Sequence, residues 1–196
     1  CCADQGANNR IELLNGAGKL IKKVGTTNQD RFQVFPVHTM SGGDTVQARL
    51  VGARYIRVTS EREQWMSFSW LAAYNRKGRN VARGGLTKTS GNYPGVWGKS
   101  NTPISGSPIK TGSGNSWHSA SNKRGEWWQV DLGGNHDLAS VVFRARTDCC
   151  REQSSDLRIT VLNKHGQVIY NLGHTSNNQL QTFDMPVKKA TTRKVR

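Results

Sequence analysis

The sequence predicts an all-β fold: an antiparallel β-sandwich, present as one complete module preceded by the C-terminal part of another. With 21 Gly in 196 residues and 35% apolar content, the chain has too many turn-formers for a helical bundle, yet enough apolar material for one well-buried core and a partial second. Short stretches rich in β-branched and aromatic residues recur between turn signals, the pattern of an antiparallel sandwich. The chain also repeats itself. At an offset of 148, with no gap, residues 1–35 fall on residues 149–183: Cys1-Cys2 on Cys149-Cys150, then Gln5/Gln153, Arg10/Arg158, Ile11/Ile159, Leu14/Leu162, Asn15/Asn163, Gly18/Gly166, Ile21/Ile169, Gly25/Gly173, Thr27/Thr175, Gln33/Gln181 and Phe35/Phe183.

A period of this length is far beyond a solenoid repeat of ~20–50 residues and matches a whole domain of ~100–150 residues. Residues 1–37 are therefore expected to be the last strands of a truncated repeat, with a hairpin turn at Asn15-Gly16-Ala17-Gly18. Residues 38–52, rich in Gly and polar residues, read as a linker, and 53–187 as the complete module. Inside it the expected strands are 54–58, 67–74, 127–132, 138–146, 157–162, 167–170 and 180–187, with a hairpin turn at Asn163-Lys164-His165-Gly166. The alternation Ser67-Phe68-Ser69-Trp70-Leu71 places Phe68 and Trp70 together on the core face. Between 84 and 125 the chain is dominated by Gly, Ser, Thr, Asn and Pro, so a long, nearly strandless loop is expected to build a site at one end of the sandwich. Residues 188–196 read as a linker or the start of a third repeat, since Thr192-Arg193-Lys194-Val195-Arg196 resembles Ala53-Arg54-Tyr55-Ile56-Arg57. The chain lacks an initiator Met and both ends fall inside a repeat, so it reads as a segment of a longer tandem array; the alternative is a mature chain whose terminal regions complete each other's sheet.

The formal charge of +15 implies attraction to anionic partners. The basic clusters are short and lack the interleaved stacking aromatics of single-strand binders, which ranks nucleic acid behind a solvated or polyanion-facing surface. No apolar run approaches the ~20 residues of a membrane span. Enzyme signatures fail in turn. Gly98-Lys99-Ser100 resembles the end of a phosphate-binding loop, but Tyr93 stands where that loop needs Gly, and H-E-x-x-H and G-x-S-x-G are both missing. No catalytic residue is assigned.

The four cysteines occur only as adjacent pairs, which excludes C-x-x-C zinc spacing. Adjacent Cα atoms lie ~3.8 Å apart, below the usual ~4.4–6.8 Å of a disulfide, so a bond within either pair closes a strained ring. In an oxidising compartment Cys1-Cys2 and Cys149-Cys150 form such vicinal disulfides; in a reducing one each remains two thiols.

Three strings in order, Trp117-His118-Ser119-Ala120, Glu126-Trp127-Trp128-Gln129-Val130-Asp131-Leu132-Gly133 and Arg146-Thr147-Asp148-Cys149-Cys150, resemble the F-type lectin (fucolectin) branch of the discoidin-like, galactose-binding-like sandwiches. The resemblance covers 53–187, with 1–37 as a truncated second example, and implies a jelly-roll sandwich and a carbohydrate site. His118 and Arg146 are then the sugar hydrogen-bonders, the Cys149-Cys150 ring is the apolar platform, and Asp148 lies in the same string. Gln153, matched by Gln5 in the first copy, stands where the family carries a second Arg, which removes a charge and a bidentate fork. A structural calcium is also implied, although Pro103-Ile104-Ser105-Gly106-Ser107-Pro108 has no carboxylate and leaves only carbonyls and amides to hold it.

The expected function is a non-catalytic, lectin-like repeat of a larger modular protein, extracellular, on a cell surface or on a virion, with glycans or glycoproteins and neighbouring repeats or assembly subunits as partners. The alternative is a structural or adhesive repeat of a large assembly, such as a virion or capsid-associated protein, whose sugar site has degenerated.

Overall fold

The structure, a computed structural model, describes residues 10–14, 20–26, 52–105 and 115–185. The chain divides into two compact units, Cys1–Gly42 and Gly43–Arg196. In the first, β1 (Arg10–Leu14) pairs antiparallel with β2 (Leu20–Thr26). Cys1, Cys2, Gln5, most of the 38–52 segment and residues 186–196 lie outside the described residues.

The second unit is a sandwich of two antiparallel sheets. Its strands are β3 (Ala53–Ser60), β4 (Ser67–Asn75), β5 (Leu86–Thr89), β6 (Trp117–His118), β7 (Trp127–His136), β8 (Leu138–Ala145), β9 (Leu157–Leu162), β10 (Val168–His174) and β11 (Leu180–Asp184). One sheet runs β10-β9-β3-β7-β5 and the other β11-β8-β4-β6, so most neighbours are distant in sequence. The segment 84–125 holds more regular structure than its composition predicts: β5, β6, a 3-10 turn Gly95–Gly98 and the single helical turn α1 (Thr102–Ser105). Short edge strands in Ser/Thr-rich sequence leave little hydrophobic periodicity to read, and tertiary pairing decides them.

The core lies between the sheets. Ile56 and Val58 of β3, Trp128 and Val130 of β7, and Ile159 and Val161 of β9 face Phe68, Leu71 and Ala73 of β4 and Val141 and Phe143 of β8. Phe68 is its centre. Its ring stands edge-on to Trp117 at 5.7 Å and to Trp128 at 5.2 Å, and tilts against Phe143 at 5.1 Å. Such pairs add ~0.5–1.5 kcal/mol each beyond the area they bury. Trp128 satisfies its indole N–H by donating to the Ser100 carbonyl at 2.8 Å, which ties the loop before α1 to the core.

Trp70 departs from the alternation. A bulge between Phe68 and Trp70 inserts a residue into β4, so Leu71 and Ala73 continue the core row after Phe68, and Trp70 is buried outside it. An extra residue flips every later side chain to the other face. On the outer face of the five-stranded sheet Arg54 Nη2 donates to Asp131 Oδ2 at 2.9 Å within an ion pair, and Arg57 lies 4.7 Å over the Trp127 ring.

Candidate functional site

Register brings the site together. Ser67, at the start of β4, is opposite His118 at the end of β6, and Phe68 is opposite Ala145 at the end of β8. Trp65, His118 and Arg146 therefore emerge at the same end of the four-stranded sheet. The β5–α1 connection closes over that end. The Tyr93 N–H donates to the His118 carbonyl at 3.0 Å, and Asn92 bridges Ser119 while its Oδ1 accepts from the Trp117 indole at 2.8 Å. The chain turns so tightly that a Cβ on Gly98 would lie 2.0 Å from the Tyr93 carbonyl oxygen, so only glycine fits.

The result is an open pocket of about 380 Å³ lined by Trp65, Tyr93, Trp97, His118, Arg146 and Gln153. Trp65 and Tyr93 each pack on His118, with ring centres 5.1 and 5.0 Å away, and on each other at 6.1 Å. His118 is buried, and its Nδ1–H donates to the Ser119 carbonyl at 2.9 Å, which leaves Nε2 as the acceptor nitrogen of the neutral ring. Burial, reinforced by the nearby Arg146 charge, pushes the His118 pKa below the usual histidine value, against the opposing pull of the Ser119 carbonyl and a hydrogen bond with Gln153. The ring is thus neutral at pH 7.

Arg146 is held from four sides. Its Nε and Nη2 donate to the two Asp148 carboxylate oxygens at 2.7 and 3.1 Å, Nη1 donates to Gln153 Oε1 at 3.4 Å, and the guanidinium carbon lies 4.5 Å over the Trp97 ring. The backbone N–H of Arg146 donates to Ser154 Oγ at 2.9 Å, and that hydroxyl donates in turn to the Ser67 carbonyl. The hydrogen bond from Arg146 holds the Asp148 carboxyl below the usual carboxylate range, with backbone N–H groups of Asp148 and Cys149 adding to it. Arg146 and Asp148 are an ion pair of zero net charge at the pocket wall.

Gln153 comes from a 3-10 turn, Arg151–Ser154, entered through Cys150 in the left-handed conformation at φ 51°. Cys149 and Cys150 are paired as a disulfide, with Cα atoms 3.8 Å apart. Of the sequence-derived candidates, His118, Arg146 and Gln153 line the pocket, whereas Asp148, Cys149 and Cys150 do not. Asp148 acts through Arg146, and the Cys149-Cys150 ring is beside the site rather than in its lining. Trp65, Tyr93 and Trp97 were not anticipated. Their only signal is the presence of large aromatics among turn-forming residues, where no core face calls for them.

Among the described residues no group of three or more His, Cys, Asp or Glu is placed to hold a metal ion. In the loop considered for calcium, Pro103 and Ile104 are buried in α1 and the Ser105 hydroxyl donates to the Thr102 carbonyl, while Gly106, Ser107 and Pro108 lie outside the described residues. No helix among the described residues is long and apolar enough to cross a membrane.

Residues 101–196 match the family model of the NedA-like, galactose-binding domain. The matched span holds β6 to β11 and every sequence-derived site residue of the second unit, while Trp65, Tyr93 and Trp97 precede it. The match and the two-sheet architecture support a galactose-binding-like module of the discoidin superfamily. No curated protein and no solved structure gives a significant match.

Proposed function

We propose that the 53–187 module is a non-catalytic, F-type-lectin-like domain that binds a glycan at the Trp65–Tyr93–Trp97 pocket, and that it is one of a tandem series in a modular protein of an extracellular, cell-surface or virion compartment. The observation that carries this is the composition of the pocket wall. Three aromatic rings offer flat apolar surface, and a neutral His118, the Gln153 amide and the remaining Arg146 donors offer fixed hydrogen-bond partners. A sugar has that same division, with an apolar C–H face and a rim of hydroxyls. Pockets of about 300–1,000 Å³ suit small ligands, so one or two sugar units are the expected load. Weak single sites gain avidity through tandem repetition.

A glycan array probed with the full chain tests this. Saturable signal on a restricted set of glycans is expected, with Arg146→Ala and His118→Ala each lowering it about tenfold or more, equivalent to ~1.4 kcal/mol. A blank array with a folded protein rejects the reading.

One feature favours the structural or adhesive alternative: Asp148 takes two of the Arg146 N–H groups, and Gln153 replaces the second guanidinium. A site built this way serves as a rigid clasp for the 146–154 turn whether or not a sugar enters. Retained assembly by a sugar-blind Trp65→Ala variant would support it.

A further inference from the structure

The turn that supplies Gln153 is fastened differently at its two ends. At its C-terminal end Ser154 is tied into the sandwich: its hydroxyl accepts from the Arg146 N–H and donates to the Ser67 carbonyl, and its own carbonyl accepts from Thr175 Oγ1. At its N-terminal end stands Cys150, whose φ of 51° lies in the left-handed region. That conformation presses the Cβ of an L-residue toward a carbonyl oxygen and is routine only for Gly and, at times, Asn or Asp. Among the described residues the other non-glycine case is Asp156, a residue of the tolerant kind. Cys150 is not of that kind, and no side chain caps the turn it opens. What holds it is the bond to Cys149, which joins the side chains of two consecutive residues and so constrains the backbone between them.

The restraint reaches the pocket in both directions. Upstream, the Cys149 N–H donates to the Asp148 carboxylate, the same group that fixes the Arg146 guanidinium. Downstream, the Gln153 N–H donates to the Cys150 carbonyl at 3.0 Å, and the Gln153 side chain meets Arg146 and His118. Cys149 is exposed and Cys150 half-buried, so a small thiol can reach the bond.

We propose that the Cys149-Cys150 bond is a redox latch on the pocket: closed, it holds Asp148 and Gln153 in place for binding, and opened by a dithiol it releases them and lowers ligand affinity. This rests on the reading of the pocket as a glycan site. One thiolate of the reductant attacks a cysteine sulfur and its second thiolate resolves the mixed disulfide. Two electrons and two protons pass to Cys149 and Cys150, which become thiols, while the reductant closes its own disulfide. Cys150 then relaxes toward negative φ. Ser154 keeps its bonds to the sandwich, so the change is confined to residues 147–153.

The test uses the full chain carrying Cys1→Ser and Cys2→Ser, so that one cysteine pair remains, compared oxidised and after treatment with dithiothreitol. Amide exchange should quicken in residues 147–153 and stay unchanged in β8 and β9. Titrated on the glycan array, the reduced chain should bind about tenfold more weakly, the scale of a hydrogen bond to a charged group. Cys149→Ser/Cys150→Ser should bind as the reduced chain does and ignore dithiothreitol. Cys149→Ser/Cys150→Gly also lacks the bond but reaches the left-handed region without steric cost, and should recover most of the lost affinity. Exchange rising through β8 and β9, exchange that quickens with no change in binding, or a Gly variant no better than the Ser variant overturns the proposal. A blank array with exchange still quickened at 147–153 removes the glycan reading and leaves redox control of the turn standing. An array signal with neither binding nor exchange altered by reduction removes the latch alone.

Discussion

Arg146 is both the residue best suited to hold a polar ligand and the one most fully engaged by its own neighbours. The bidentate Asp148 contact fixes the plane of the guanidinium, and Trp97 beneath it fixes the height. Charge-assisted bonds of this kind are strong and directional, so the remaining donors are preorganised rather than floppy. The two titrating groups of the site both lose stability to acid, but in different pH windows. Burial lowers the His118 pKa, so the folded protein resists protonating the ring, and stability falls as pH drops below the ordinary histidine value of ~6.5 because the unfolded chain takes up the proton first. The lowered Asp148 pKa means that the clamp contributes fully above the unfolded value of ~3.9 and is lost only as pH falls through the depressed folded value. Glycan binding should therefore stay flat from pH 8 through about 6.5 and decline only further down, as the pH falls through the depressed folded value and His118 becomes a cation facing Arg146, while the clamp persists. Calorimetric titration across that range checks this, and His118→Asn should bind more weakly with no such decline. The resemblance to the F-type lectins made His118, Arg146 and Gln153 legible. It could not reveal Trp65, Tyr93 and Trp97, because they come from two separate turns that only sheet register brings together.

At the scale of elements, the strands with strong apolar character were readable and the short ones were not. β3, β7, β8 and β9 carry enough β-branched and aromatic residues to be identified from local pattern, whereas β5 is the polar Leu-Thr-Lys-Thr and β6 has only two residues. The bulge in β4 was equally silent: nothing in Ser-Phe-Ser-Trp-Leu distinguishes simple alternation from alternation with one inserted residue. The turn carrying Gln153 is held by buried hydroxyls. Ser154 accepts from the Arg146 N–H and donates to the Ser67 carbonyl, and Thr175 Oγ1 donates to the Ser154 carbonyl at 2.7 Å while accepting from the Leu157 N–H at 3.0 Å. Ser154→Ala leaves the Arg146 amide without its acceptor and should cost about 1–3 kcal/mol, the penalty for an unsatisfied buried donor. Urea denaturation would measure that loss. Glycan affinity should fall as well, since the same turn aims Gln153 at Arg146; unchanged affinity would separate the turn from the site.

The net charge of +15 belongs to the whole molecule, and the pocket does not share it. Within the second unit, Arg54, Arg62, Arg76, Arg146 and Arg158 are each paired with a carboxylate, so part of the described basic surface is locally compensated. At the pocket itself Asp148 offsets Arg146 and His118 is neutral. A ligand held by aromatic faces and hydrogen bonds in such a site displaces few counterions. A polyanion spread across the surface releases many, and its affinity falls with salt in proportion to the contacts made. Binding of a glycan from the array should therefore change by less than about twofold between 50 and 200 mM salt, whereas a surface making 6–10 anionic contacts loses about 10³–10⁵ over that interval. Surface plasmon resonance at both salt concentrations distinguishes them. A steep slope that survives Trp65→Ala and Arg146→Ala would transfer the function from the pocket to the basic surface, and a flat slope abolished by either substitution would keep it in the pocket.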